Sequence, residues 1–162
     1  MNTLATTSLK IAGLAAMGSA LILPALAHHS FAMYDQTKTV TLTGVMKQFV
    51  GQANHAELHF VLIAPDRKSY EKGPDGKPVE WGVEMAGAAA VAQQGITPTS
   101  FPVGTVFSVH LNPLRDGTNY GSRIGAIARC PMNEATNKPV LPEAGKHCDS
   151  VPGNTLSGRT TF

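Results

Sequence analysis

Charge is scarce in this chain, and neither sign dominates. Lysine and arginine number 13, aspartate and glutamate 11, in 162 residues. They are scattered, with no basic run. A nucleic-acid binder concentrates positive charge on one face, and an anionic membrane surface is held by a polybasic stretch; neither partner is expected. Aromatic residues are few, and Trp81 is the only tryptophan, so a platform for stacking bases or sugars is thin. No G-x-S-x-G, H-E-x-x-H or P-loop occurs. Hydrolytic and nucleotide chemistry have no signature, and no enzymatic activity is read from the chain.

What is present begins at the N-terminus. Lys10 and the initiator amine give a weak positive charge, and residues 11–23 form an uncharged, mostly apolar run. The run is shorter than the ~20 residues needed to span a bilayer. Pro24 breaks it, and Ala25 and Ala27 supply the small residues of a cleavage site. Residues 1–27 are therefore expected to be a cleaved signal peptide, placing the mature protein in the periplasm or outside the cell. No cysteine follows the run to carry a lipid, and no later segment is long and apolar enough to span a membrane. After cleavage the net charge falls from +2 to about +1, because Lys10 leaves with the signal.

Cys130 and Cys148 are the only cysteines. In an exported chain a disulfide between them is expected, worth about 3 kcal/mol through loop closure. A thiolate metal site with the adjacent His147 is the alternative, but it lacks the short spacing of zinc sites.

The remaining pattern is that of strands. Residues 38–50 alternate, with Val40, Leu42, Gly44 and Met46 on one face and Thr39, Thr41, Thr43 and Lys47 on the other; Gly44 suggests a bulge or sharp coil. Residues 54–64 alternate again, with Ala56, Leu58, Phe60 and Leu62 inward and His55, Glu57 and His59 outward. Residues 65–78 read as an exposed hairpin loop around Asp75-Gly76. A third strand, 79–85, turns Val79, Trp81, Val83 and Met85 inward and Glu80 and Glu84 outward. A short alanine-rich helix stopped by Gly95 follows. Strands at 105–111 and 122–129 flank a turn at Asp116-Gly117. Three strands, one helix and two strands are the order of an OB-like five-stranded barrel; a small β-sandwich is the alternative. The expected organisation is an all-β barrel domain over 28–129 and an irregular tail over 130–162, pinned back by the disulfide.

The segments HHSFAMYD, TKTVTLTGVM, Asn54-His55, VEWGVEM and PLRDGTNYGS together resemble an uncharacterised family, a domain of unknown function, of small exported proteins of Gram-negative bacteria. The resemblance covers residues 28–129. Family members usually read Asn-Pro-His where this chain has Asn54-His55, and the cysteine-containing tail replaces a short glycine-rich strand. The resemblance implies export and a small β-rich fold, and it brings no reaction with it.

Several residues suit a metal. Cleavage after Ala27 would leave His28 with a free α-amine, so that amine and imidazole together form a chelate no internal histidine can make. A second histidine would complete a nitrogen-only set, which favours Cu(II). His29, at position two, offers an alternative chelate through the amine, its own amide and its ring. In each case the amine, with a pKa of about 8, must lose its proton. His55, Glu57 and His59 share one strand face, with neighbours in this set ~6.5–7 Å apart along the chain. One ion could take either histidine with Glu57, and His55 is the stronger third ligand because the resemblance also places a histidine there. A solvated polar face accounts for the same alternation. Met33 is a soft donor near the terminus. His110 and His147 read as ordinary surface histidines.

The sequence thus points to an exported β-barrel protein binding copper through its N-terminal histidine. The alternative is a metal-free, non-catalytic module holding a partner protein or a small ligand on the barrel face or the 65–78 loop. An oxidative enzyme with an N-terminal copper site is a third reading.

Overall fold

A computed structural model describes residues 31–158. It is built of β-strands with one short helix. The principal strands are β1 (Val40–Gly51), β2 (His55–Leu62), β3 (Glu80–Ala86), β4 (Val106–Pro113) and β5 (Tyr120–Arg129). The helix α1 (Ala88–Gln93) lies between β3 and β4. Two short strands, β6 (Met132–Asn133) and β7 (Lys138–Pro139), pair with each other, and β8 (Thr155–Ser157) pairs antiparallel with β5.

The sheet order is β3-β2-β1-β4-β5, and β3 also pairs in parallel with β5. That last pairing closes the barrel and separates it from a sandwich. The outcome is the five-stranded OB-type connection expected from the strand–helix order, with β8 as a sixth strand on β5. Strand β5 has room for both additions because it divides its length. Tyr120–Ser122 pair with β3, and Ile127–Arg129 pair with β8.

Strand β1 makes the same economy. Residues 40–45 pair with β4 and residues 44–51 with β2, so the strand passes between partners at Gly44 and Val45. A Cβ on Gly44 would strike the Phe60 ring and stand 2.6 Å from the Val61 carbonyl oxygen. Glycine is therefore required for close approach. The register shift itself falls later, between Met46 and Gln48. The extra residue, Lys47, moves the inward positions from 40, 42, 44 and 46 to 49, and Phe49 packs on the core while Lys47 and Gln48 are exposed.

Alternation fills the barrel. Leu58 and Phe60 from β2, Val83 from β3, and Phe107, Val109 and Ile127 from β4 and β5 are fully buried. Phe107 meets Phe60 and Phe101 edge-to-face at centroid distances of 5.1 and 5.8 Å, the arrangement ring quadrupoles favour. Val91 turns α1 into this core, and the helix ends where Gly95 N–H and Ile96 N–H bond to Ala92 O and Val91 O at 3.0 and 2.9 Å.

A second, smaller core lies under the C-terminal tail. Ile63, Val106, Ala128 and Val151 surround the Cys130–Cys148 disulfide, whose Cα atoms are 4.8 Å apart. The expected disulfide is present, and the tail it anchors is more ordered than its composition suggests, with β6–β7, a 3₁₀ turn at Cys148–Ser150 and β8.

Candidate functional site

The outward face of β2 carries His55, Glu57 and His59, as strand alternation requires. Their partners come from other strands. Glu57 stands directly opposite Glu84 of β3, and His55 stands opposite Ala86. Opposed side chains in an antiparallel pair have Cβ atoms ~4.5–5.5 Å apart, and like charges so placed repel. Each carboxylate is answered by a histidine: His59 Nε2 lies 2.8 Å from Glu57 Oε2, and His55 Nδ1 lies 3.3 Å from Glu84 Oε1. Glu84 is the more enclosed acid, its side chain 15% exposed.

Two tyrosines complete the cluster. Tyr120, at the start of β5, pairs with Gly82 in the parallel ladder, and its ring occupies the space a Cβ on Gly82 would need. Burial, and then the charges of Glu57 and Glu84, raise its pKa far above the ordinary phenol range. Tyr34 is 1% exposed. Burial, followed by the charge of Glu84, raises its pKa as well. Its hydroxyl faces that carboxylate but makes no hydrogen bond of ordinary length and angle with any described residue. Most buried hydroxyls have a partner, so this atom stands out.

Tyr34 belongs to the segment that enters the fold. A 3₁₀ turn, Phe31–Met33, precedes it, and Tyr34 forms a bridge with Leu114 in the β4–β5 connection. Asp35 N–H donates to Pro113 O at 2.8 Å, and Arg115 donates from its backbone to Met33 O and from Nε to Ala32 O, both at 3.0 Å. The segment is thus fixed to the barrel beside β3 and β5. Met33 is partly exposed there, at 39%. His28 and His29 lie outside the described residues. Among the described residues, no three His, Cys, Asp or Glu side chains are grouped to hold one ion. His55 and His59 address different carboxylates, and Glu57 pairs with His59, not His55.

The two histidines read as ordinary surface residues are bound into the fold. Thr41 Oγ1 lies 2.8 Å from His110 Nδ1. Thr43 Oγ1 lies 2.7 Å from both Ser108 Oγ and His147 Nδ1, and Ser108 Oγ accepts the Cys148 N–H at 2.8 Å. Thr43 and Ser108 are buried under the tail. Their hydroxyls satisfy one another and tie the disulfide loop to β1 and β4. Burial first, and then the nearby Arg67 charge, lower the His147 pKa.

Alternation placed His55, Glu57, His59 and Glu84 outward. Sequence reasoning missed the pairing of His55 with Glu84, and it missed Tyr34 and Tyr120. The available signal was that Glu84 falls outward on the strand that follows β2.

The molecule is a small closed β-barrel with a paired histidine–carboxylate cluster on its outer wall. The chain belongs to the family of unknown function DUF6152, whose model matches residues 17–123. The match includes every member of the cluster and excludes the disulfide tail. No curated protein and no solved structure matches the chain. Among the described residues, no helix is long and apolar enough to cross a membrane.

Proposed function

We propose that this is an exported copper-binding protein. The amine and imidazole of His28, freed by cleavage after Ala27, hold the ion together with His55 of the barrel wall; His29 supplies the alternative terminal chelate. The observation that carries this reading is the 3.3 Å approach of Glu84 to His55 Nδ1, on the wall where the buried Tyr34 hydroxyl faces the same carboxylate. A carboxylate on one ring nitrogen is the usual support of a metal-binding histidine, fixing the ring so that the other nitrogen can ligate.

The surroundings suit a cation. Glu57 and Glu84 face each other across the ladder, and added positive charge relieves their repulsion. The N-terminal segment also enters beside the cluster: His28 precedes Tyr34 by six residues, a span of at most roughly 22 Å, and the Glu84 charge acts on Tyr34. Imidazole and amine nitrogens favour Cu(II) among divalent ions. Copper, when bound, supplies a strongly held ion with accessible one-electron redox chemistry. The chain's own contribution is to fix His55, to place the N-terminal segment and to enclose the ligand face with two tyrosines.

The test compares the chain beginning at His28 with the same chain acetylated at its α-amine. Competition titration of Cu(II) should give affinity weaker by more than about hundredfold for the acetylated chain, since blocking the amine removes every terminal chelate. Equal affinities would remove the N-terminal histidine from the site.

A further inference from the structure

We infer that a second site, independent of the copper reading, binds a single-chain amphiphile with an anionic head, of the medium-chain carboxylate type. A cavity of about 500 Å³ opens between the 65–78 loop, the outer wall of β1 and β4, and the tail. Its floor is Val45, Ile63 and Val106, the edge of the smaller core. Tyr70 and Leu141 stand at its sides, 48% and 38% exposed. Volumes of about 300–1,000 Å³ are those of small-molecule sites. Large apolar side chains left open around such a concavity mark a surface meant to be covered.

Charge selects the occupant. Arg67, Lys68 and Lys72 line the cavity, and no acidic residue does. The Arg67 guanidinium meets only backbone carbonyls: Nη1 donates to Ile63 O and Ala64 O at 3.3 Å, and Nε donates to Lys146 O at 3.2 Å. These bonds hold the group in place and leave its charge unneutralised. None of the three cations makes an ion pair among the described residues. An apolar floor under three unneutralised cations matches a ligand with an apolar chain and one negative head. A cationic amphiphile is repelled by the same three charges, and a neutral one leaves them unanswered.

The experiment titrates the full chain with decanoate, decanol and decylammonium, each below its micelle concentration, by calorimetry and by methyl NMR. Decanoate should bind saturably at one site and at least about tenfold more tightly than decanol. It should shift the methyl signals of Val45, Val106 and Leu141. Decylammonium should not compete. The exposed double variant Lys68→Gln/Lys72→Gln, with unchanged melting temperature, should lose about tenfold in decanoate affinity, as expected for two partly screened charge contacts. Equal binding of decanol or decylammonium would overturn the proposal. So would shifts confined to another face, non-saturable uptake, or an unaffected double variant. None of these outcomes bears on His28 or His55, so the two sites stand or fall separately.

Discussion

Tyr34 shows how a single side chain can be well packed and yet incomplete. Its ring is almost wholly buried, while its hydroxyl faces the Glu84 carboxylate without a hydrogen bond of ordinary length and angle. A buried hydroxyl without a well-formed hydrogen bond costs up to about 1–3 kcal/mol, and phenylalanine keeps the packing without that cost. Tyr34→Phe should therefore leave metal-free stability unchanged or raise it by about 1 kcal/mol, as chemical denaturation would record, and should weaken copper binding. A loss of stability in the metal-free variant would show that the hydroxyl is satisfied after all. His147 works in the opposite sense. Burial and the Arg67 charge lower its folded-state pKa against the opposing pull of Asp149, with His110 also nearby. The unfolded chain then binds the proton more readily, so the stabilising contribution is complete above about pH 6.5. It is lost as pH falls through that value toward the lower folded pKa. His147→Gln should flatten this part of the dependence. The melting-temperature difference between wild type and variant should move against the wild type as the solution is acidified. A difference that does not change with pH would contradict the assignment.

At the scale of elements, the tail depends on one covalent tie and a few hydroxyls. The disulfide closes the segment between Cys130 and Cys148, and Thr43, Ser108 and His147 hold the end of that loop against β1 and β4. Replacing both cysteines by alanine should cost about 3 kcal/mol through loop closure, seen as a melting temperature lower by about 10 °C. The five barrel strands should persist by circular dichroism, because their core is separate from the cluster around the disulfide. Simultaneous loss of barrel and tail would show one cooperative core instead.

The strands themselves were legible because alternation is local. Each of the five was expected within a few residues of its observed bounds, and the helix stop at Gly95 followed from its composition. The shift at Lys47 was not legible, since Gly44 carries the stronger sequence signal and owes its identity to the Phe60 ring across the ladder. The same limit applied to the candidate site. Period-two alternation shows which residues face outward, but it cannot say which strand lies alongside. His55 and Glu57 were read as potential co-ligands, whereas register gives His55 to Glu84 and Glu57 to His59. The tail's polar residues suggested irregularity, because the hydroxyl contacts that order it join positions far apart in the chain.

For the molecule as a whole, barrel closure separates two working surfaces. The wall of β2 and β3, joined by the start of β5, gathers the paired acids, the histidines and the incoming N-terminal segment. The wall of β1 and β4 is covered by the tail and opens into the cation-rimmed cavity. The family match covers the first of these surfaces completely and omits both cysteines of the tail. The copper proposal requires that the N-terminal histidine and the barrel bind one ion together. Electron paramagnetic resonance of the Cu(II)-loaded chain beginning at His28, compared with its His55→Ala variant, tests this most directly. Three nitrogen donors are expected in the parent and one fewer in the variant, with affinity lower by more than the about 10–100-fold typical of a supporting residue. Identical spectra and affinities in the two proteins would contradict it, leaving the histidine cluster on the barrel wall outside the metal site.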